Sequence, residues 1–142
     1  MLRWNAKLNL TRITGRAEAW ERNYQESIYL ARQLPPGPLR IADVGSGAGF
    51  PGIPIAIVRP ECSVTLIVSH QRKAVFLREA SRDLANVRVL AKRAEAVTET
   101  FDWIVSRAVS PEEVLKLNFA PNIALLTGHF EVSVPRGTLS SM

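Results

Sequence analysis

The stretch Arg40-Ile-Ala-Asp-Val-Gly-Ser-Gly-Ala-Gly-Phe-Pro-Gly52 combines an apolar run, an aspartate and four glycines. The run that ends at Val44 predicts a buried strand, because parallel strands covered on both faces are nearly continuous in apolar residues. The glycines predict a loop that a ligand approaches closely, since glycine has no Cβ and tolerates positive φ. The stretch therefore predicts a strand followed by a loop that binds a small-molecule cofactor.

The rest of the 142-residue sequence alternates between helical and strand patterns. Apolar residues at three- and four-residue spacing predict helices at 17–33, 71–84 and 111–117, and another helix starts after the glycines at 54–59. Five strands are predicted at 39–44, 63–68, 86–90, 101–105 and 123–126, with a further candidate at 129–134. This alternation is typical of an α/β fold with a mainly parallel sheet and helices on both faces.

We expect a single domain, because a chain of this length has room for one hydrophobic core and not for a second. Residues 1–38 are predicted to form an N-terminal helical segment, and residues 39–128 the cofactor-binding α/β core. Residues 129–142 are expected to form a short C-terminal strand and tail.

Charge and cysteine content narrow the classes of function. Eighteen Lys and Arg residues against 13 Asp and Glu give a net charge of +5, which favours a polyanionic partner such as nucleic acid and is also consistent with a plain basic surface. Residues 1–40 and 70–95 each contain seven basic and three acidic residues, so both segments are candidate RNA-facing surfaces. Ordinary solvated helix faces are the alternative.

The numbers of cysteine and histidine residues bear on the cellular compartment and on metal binding. Cys62 is the single cysteine, which excludes an internal disulfide and a thiolate metal site and indicates a reducing compartment. His70 and His129 are too few and too scattered to suggest a metal site. The sequence has no apolar stretch of transmembrane length and no apolar signal-peptide core at its start, so we expect a cytoplasmic protein with neither a metal nor a membrane partner.

Two cofactor classes bind a glycine loop that follows the first strand of such a sheet. Dinucleotide folds use G-x-G-x-x-G, but here Gly45, Gly47 and Gly49 are spaced G-x-G-x-G and Phe50 stands at the third glycine's place. Asp43 would repel a pyrophosphate, whereas it suits the ammonium and sulfonium charges of S-adenosylmethionine. The residues therefore favour S-adenosylmethionine, with a dinucleotide and a ligand-free glycine turn as the alternatives.

Five segments carry a family resemblance that extends over about residues 3–128. They are Asp43-Val-Gly-Ser-Gly-Ala-Gly-Phe-Pro-Gly-Ile-Pro54, Trp4-Asn-Ala-Lys-Leu-Asn-Leu-Thr11, Arg72-Lys-Ala-Val-Phe-Leu77, Arg93-Ala-Glu95 and Phe101-Asp-Trp-Ile-Val-Ser-Arg-Ala108. In order and spacing they resemble the GidB family, rRNA small subunit methyltransferase G. The Gly-Phe-Pro-Gly ending of the first segment makes the resemblance specific, because methyltransferases in general do not share it.

The resemblance implies a class I, Rossmann-like methyltransferase that transfers the methyl group of S-adenosylmethionine to N7 of a guanine in 16S rRNA. Its partner would be 16S rRNA or the 30S ribosomal subunit, and we expect a monomer. Guanine N7 carries a lone pair and no proton, so the transfer requires no general base. Positioning of the reacting atoms can by itself supply about 7–11 kcal/mol.

The resemblance also implies roles for individual residues. Ser106 and Arg107, at the end of the fourth strand, are the expected catalytic residues at the methyl-acceptor position. Arg107 would hold an rRNA phosphate or orient the O6 and N7 edge of the guanine, and a structural ion pair is the alternative. Cofactor contacts are implied for Asp43, Gly45, Ser46, Gly47, Gly49, Phe50, Val68, Ser69, Ala94, Glu95 and Arg107.

Some features depart from the family pattern. Class I methyltransferases usually end the second strand with an acid that binds the ribose hydroxyls, but Val68 stands there, so Val68→Glu is expected to tighten cofactor binding unless Ser69 substitutes. The first helix has Arg22-Asn23 and Glu26-Ser27 where family members have Arg-His and Asp-Ser. The expected fold is also shortened at both ends. A noncatalytic RNA- or ribosome-binding module is therefore the alternative function.

Overall fold

A five-stranded parallel sheet forms the centre of the protein. The computed structural model describes residues 17–44, 49–107 and 111–126. The strands are β1 (Arg40–Val44), β2 (Ser63–Val68), β3 (Val87–Ala91), β4 (Trp103–Ser106) and β5 (Asn122–Leu125). Their order is β3-β2-β1-β4-β5, and each neighbouring pair is parallel. The predicted α/β class is confirmed, while the segment before residue 17, residues 45–48 of the glycine loop and the strand candidate at 129–134 lie outside the described residues.

Helices connect the strands and cover both faces of the sheet. They are α1 (Ala17–Gln33), α2 (Gly52–Val58), α3 (Gln71–Ala80) and α4 (Pro111–Leu115), with a short 3-10 turn at Ala94–Ala96. The prediction that α3 extends to residue 84 is wrong. The hydroxyl of Ser81 donates a hydrogen bond to the Leu77 carbonyl at 2.6 Å, and a turn follows in place of another helical turn.

Alternation along each strand divides the buried side chains into two cores. The first core contains Ile41, Leu66 and Val105 from the strands and packs against α1, α2 and α3. The second core contains Ala42, Ile67 and Ile104 and packs against α4 and the segment that leads into β5. The near-continuous apolar runs of β2 and β4 follow from this arrangement, because neither face of those strands meets water.

Arg59 fixes the C-terminal end of α1. Its guanidinium donates hydrogen bonds to the carbonyls of Ala31 at 2.9 Å and Pro35 at 2.6 Å, and it forms an ion pair with Glu61. These bonds satisfy carbonyls that a helix end leaves without partners. Arg59 therefore anchors the end of α1 beside the segment that leads into β1.

Helix α2 begins at Gly52, two residues before the predicted start, because the end of β1 holds that position. The carboxylate of Asp43 accepts a hydrogen bond from the Gly52 N–H at 2.7 Å, inside the first core. A Cβ on residue 52 would lie 2.4 Å from Leu66 Cδ2 and 2.6 Å from Asp43 Oδ2. Glycine is therefore required here by close packing.

Gly52→Ala is expected to lower the free energy of unfolding by about 1–3 kcal/mol, the usual cost of overpacking a core. Leu66 is fully buried, so relief of the contact requires a shift within the packed core. Urea denaturation of Gly52→Ala, of Leu66→Ala and of the double variant measures the effect. The loss of stability in the double variant should be smaller than the sum of the two single losses, because Leu66→Ala removes one of the crowded atoms. Strictly additive losses would show that crowding against Leu66 is not the cause.

Among the described residues, no helix combines the length and the apolarity that are needed to cross a bilayer.

Candidate functional site

A cavity of about 670 Å³ lies where the parallel strands end. Its volume is typical of small-molecule sites, which measure roughly 300–1,000 Å³. Strand ends supply Val44, Ile67, Ser69, Ser106 and Arg107; the segment after β3 supplies Lys92, Arg93, Ala94 and Glu95; α4 and the turn after it supply Glu113, Val114, Lys116 and Leu117.

The topology explains why a cavity forms at this edge. The chain proceeds from β1 to β2 and β3 on one side of the sheet, and then returns to place β4 and β5 on the other side. The connections leave β1 and β4 in opposite directions, which opens a crevice between them at their carboxyl ends. Val44 and Ser106 line the cavity from these two strands.

The glycine loop is described only at its end. Gly49 has a φ of +90°, a conformation that favours glycine. Gly45, Ser46 and Gly47 lie outside the described residues. Asp43 is fully buried, and one of its carboxylate oxygens is occupied by the Gly52 N–H. In this structure Asp43 therefore fixes the start of α2, and its direct contact with a cofactor stays a prediction.

Phe50 and Val68 belong to the first core and do not line the cavity. Val68 is 5% exposed, and alternation along β2 directs it to the same face as Leu66, while Ile67 and the next residue, Ser69, reach the cavity. A glutamate at position 68 would bring a carboxylate into an apolar cluster, which is costly without a partner. The expected gain in affinity for S-adenosylmethionine from Val68→Glu is thus offset by the cost of burying the carboxylate. Ser69, which lines the cavity, is the polar group nearer to a ligand there.

The structure brings five of the sequence-predicted residues together around the cavity, namely Ser69, Ala94, Glu95, Ser106 and Arg107. Ser106 is 2% exposed, and its hydroxyl donates a hydrogen bond to the Val44 carbonyl at 2.8 Å. This bond joins the ends of β1 and β4. The fixed position of Ser106 also determines where the chain leaves the strand, and hence where Arg107 lies.

Arg107 forms a buried ion pair with Glu26 of α1. The Glu26 side chain is 4% exposed and that of Arg107 is 31% exposed. Burial lowers the pKa of the Arg107 guanidinium, since desolvation disfavours its charged form. The pair connects α1, which packs on the first core, with a cavity that is bounded by second-core residues.

Sequence reasoning did not assign several cavity residues. Lys92 and Arg93 had been counted in the basic segment 70–95, and Arg93 also in a family segment, but neither had a site role; the structure places both beside the cavity. Glu113 and Lys116 were missed because so short a helix has no pattern that indicates which side it turns toward a ligand. The role of Glu26 had one available signal, the acid that the family also has in its first helix.

The lining suits a ligand with both apolar and charged parts. Val44, Ile67 and Val114 provide apolar surface for a flat ring. Ser69 and Glu95 can accept hydrogen bonds from hydroxyl or amino groups, and Glu95 can also face a positive charge. The residues present therefore fit an adenosyl cofactor with an amino-acid tail. Groups of three or more potential metal ligands do not occur within the described ranges.

Comparison with known proteins shows which family this chain matches. The family model described as GidB, rRNA small subunit methyltransferase G, matches residues 1–128. A protein named ribosomal RNA small subunit methyltransferase G from Gluconobacter oxydans is 47% identical over 113 residues, which cover 78% of this chain and 58% of that protein. The chain spans 49% to 60% of the length of this and two other curated relatives that it matches.

Solved structures agree on the fold. TYW2 from P. horikoshii, crystallised in complex with MeSAdo, aligns with a TM-score of 0.61 at 20% identity, over 71% of this chain and 42% of that one. The mycolic acid cyclopropane synthase CmaA1, crystallised with SAH and CTAB, aligns with a TM-score of 0.51 at 25% identity, over 61% of this chain and 32% of that one.

Proposed function

This chain belongs to the GidB family, rRNA small subunit methyltransferase G, and we propose on that basis that it transfers a methyl group from S-adenosylmethionine to N7 of a guanine in 16S rRNA. The observation that carries the proposal is the cavity at the carboxyl edge of the sheet, which collects five residues predicted from the sequence to form the site. A noncatalytic binding module would have no need to keep a cavity of this size beside the acceptor position.

The cofactor would be held mainly by the strand ends. The backbone of residues 45–49 would lie under its methionine and ribose, and Ser69 would accept or donate a hydrogen bond to a ribose hydroxyl. Ala94 and Glu95 would contact the adenine. When bound, S-adenosylmethionine supplies an activated methyl group on a positively charged sulfur.

The acceptor side would be formed by Ser106 and Arg107. Guanine N7 has a free lone pair, so these residues have to orient the base and exclude water, and neither has to remove a proton. Lys92 and Arg93 are exposed beside the cavity, and form no ion pair with an acid in the described part of the chain. They would bind the phosphates of an RNA strand. Residues 39–128 would thus contain the whole cofactor site, in a monomeric cytoplasmic protein.

Methyl transfer from radiolabelled S-adenosylmethionine tests the proposal. We expect label in 16S rRNA when 30S subunits that lack the modification, or naked 16S rRNA, are supplied, and strand scission specific for 7-methylguanine should locate it. Cofactor and RNA binding without any transfer would instead indicate the noncatalytic module. Binding of NADH in preference to S-adenosylmethionine in a parallel titration would contradict the cofactor assignment.

A further inference from the structure

Arg107 differs from the other basic residues around the cavity. Lys92, Arg93 and Lys116 are exposed, and none of them pairs with an acid among the described residues. Arg107 is only partly buried, and it contacts the carboxylate of the buried Glu26. A guanidinium whose charge is already compensated has little to gain from a phosphate, because the phosphate would have to displace a buried carboxylate.

We infer that Glu26 is a positioning residue, which holds Arg107 as an oriented, charge-compensated hydrogen-bond donor in the cavity instead of a phosphate ligand. The inference rests on the proposed methyltransferase function. Glu26 does not line the cavity and acts through Arg107. The planar guanidinium has five N–H donors, so a pair with one carboxylate leaves others free to face a base edge.

Compensation of charge also serves the reaction. Methyl transfer breaks the bond from sulfur to the methyl carbon and forms one from N7 to that carbon, so the positive charge moves from the sulfonium to the guanine ring. An uncompensated cation beside the acceptor would oppose this gain of positive charge. The Glu26 carboxylate cancels that charge and leaves the directional hydrogen bonds of Arg107 in place.

The placement of the pair explains why a helix residue can fill this role. Glu26 lies in the middle of α1, and Arg59 holds the C-terminal end of that helix. Ser106, adjacent to Arg107, is tied to the Val44 carbonyl. Both partners of the pair are therefore held by rigid elements, as a site that positions a base requires.

The first test measures single-turnover methyl transfer and cofactor affinity for Glu26→Gln and Glu26→Asp. The isosteric Glu26→Gln removes the charge, and we expect the transfer rate at saturating RNA to fall about tenfold to a hundredfold. The Kd for S-adenosylmethionine should change less than about threefold, and Glu26→Asp should recover part of the rate. The matched control is Glu99→Gln, which breaks the exposed pairs with Arg40 and Arg88 and should leave the rate unchanged.

The second test needs no enzyme activity. The slope of log K for RNA against log salt should be unaltered in Arg107→Met, whereas Lys92→Met should reduce it by about 0.7–0.9. In the NMR spectrum of the unaltered protein, the Arg107 Nε–H should exchange with solvent more slowly than that of Arg78, which is exposed and forms no ion pair within the described ranges. This measurement does not depend on whether any variant folds.

The outcomes separate this inference from the proposed function. Absence of methyl transfer by the unaltered protein would contradict the proposed function alone, since the salt slope and the exchange rate do not require transfer. An active protein in which Glu26→Gln retains the full rate, or in which Arg107→Met lowers the salt slope as much as Lys92→Met, would overturn the inference.

Discussion

Arg107→Met is expected to lower the free energy of unfolding by about 3–5 kcal/mol, the cost of removing one partner from a buried ion pair. The substitution leaves the Glu26 carboxylate, 4% exposed, without its counter-charge. Methionine keeps most of the length and apolar volume of arginine, so the loss reports the charge and not a cavity. Equilibrium unfolding in urea at pH 7.5 measures it.

The pH dependence of this loss has a definite sign. Burial without a counter-charge disfavours the ionised form of a carboxylate, and protonation removes that charge, so the difference between variant and parent should shrink as the pH falls. It should grow again as the pH rises. A difference that stays constant with pH would mean that lost packing, and not the buried charge, causes the destabilisation.

Arg40→Met is the matched control, because Arg40 also pairs with a glutamate. Its pair with Glu99 has side chains that are 51% and 35% exposed, so solvent screens the charges and the expected loss is below about 1 kcal/mol. Equal losses for Arg40→Met and Arg107→Met would contradict the distinction between the exposed pair and the buried one.

Ala94→Phe is expected to raise the Kd for S-adenosylmethionine about a hundredfold. Ala94 lines the cavity within the 3-10 turn that follows β3, so a phenyl ring there would occupy space that the proposed cofactor requires. Overpacking typically costs 1–3 kcal/mol, and about 2.7 kcal/mol corresponds to two factors of ten in affinity. Isothermal titration calorimetry measures the change.

Ala96→Phe provides the control for Ala94→Phe. Ala96 lies two residues further along the same 3-10 turn and is exposed to solvent. This variant tests whether a phenylalanine anywhere in the turn weakens cofactor binding by disturbing the fold. We expect the Kd for S-adenosylmethionine to change less than about threefold. If Ala94→Phe also left the affinity unchanged, the cavity would not be the cofactor site.

Local sequence patterns were sufficient to predict most of the strands and helices. The prediction of β2 at 63–68 and of α1 at 17–33 agrees with the structure, because short runs rich in β-branched residues and long amphipathic patterns have few alternatives. The start of α2 was missed by two residues, since it depends on the Asp43 carboxylate, nine residues earlier. A boundary set by a tertiary hydrogen bond leaves no local signal.

The candidate site was predicted in part. The family resemblance implied roles for Ser69, Ala94, Glu95, Ser106 and Arg107, and they meet around one cavity because parallel strands bring their carboxyl ends to one edge. The face toward which Val68 points was harder to predict, because the direction of the last side chain of a strand depends on its register with neighbouring strands.

The sequence by itself determined the α/β class and the family, because these follow from periodicity and from the order of short motifs. Only the tertiary structure decided that Asp43 holds the start of α2, that Val68 faces the first core, and that Arg107 pairs with Glu26. The physical reason is distance along the chain. A contact across 81 residues is selected by the packing of helices on the sheet, and no local pattern encodes its partner.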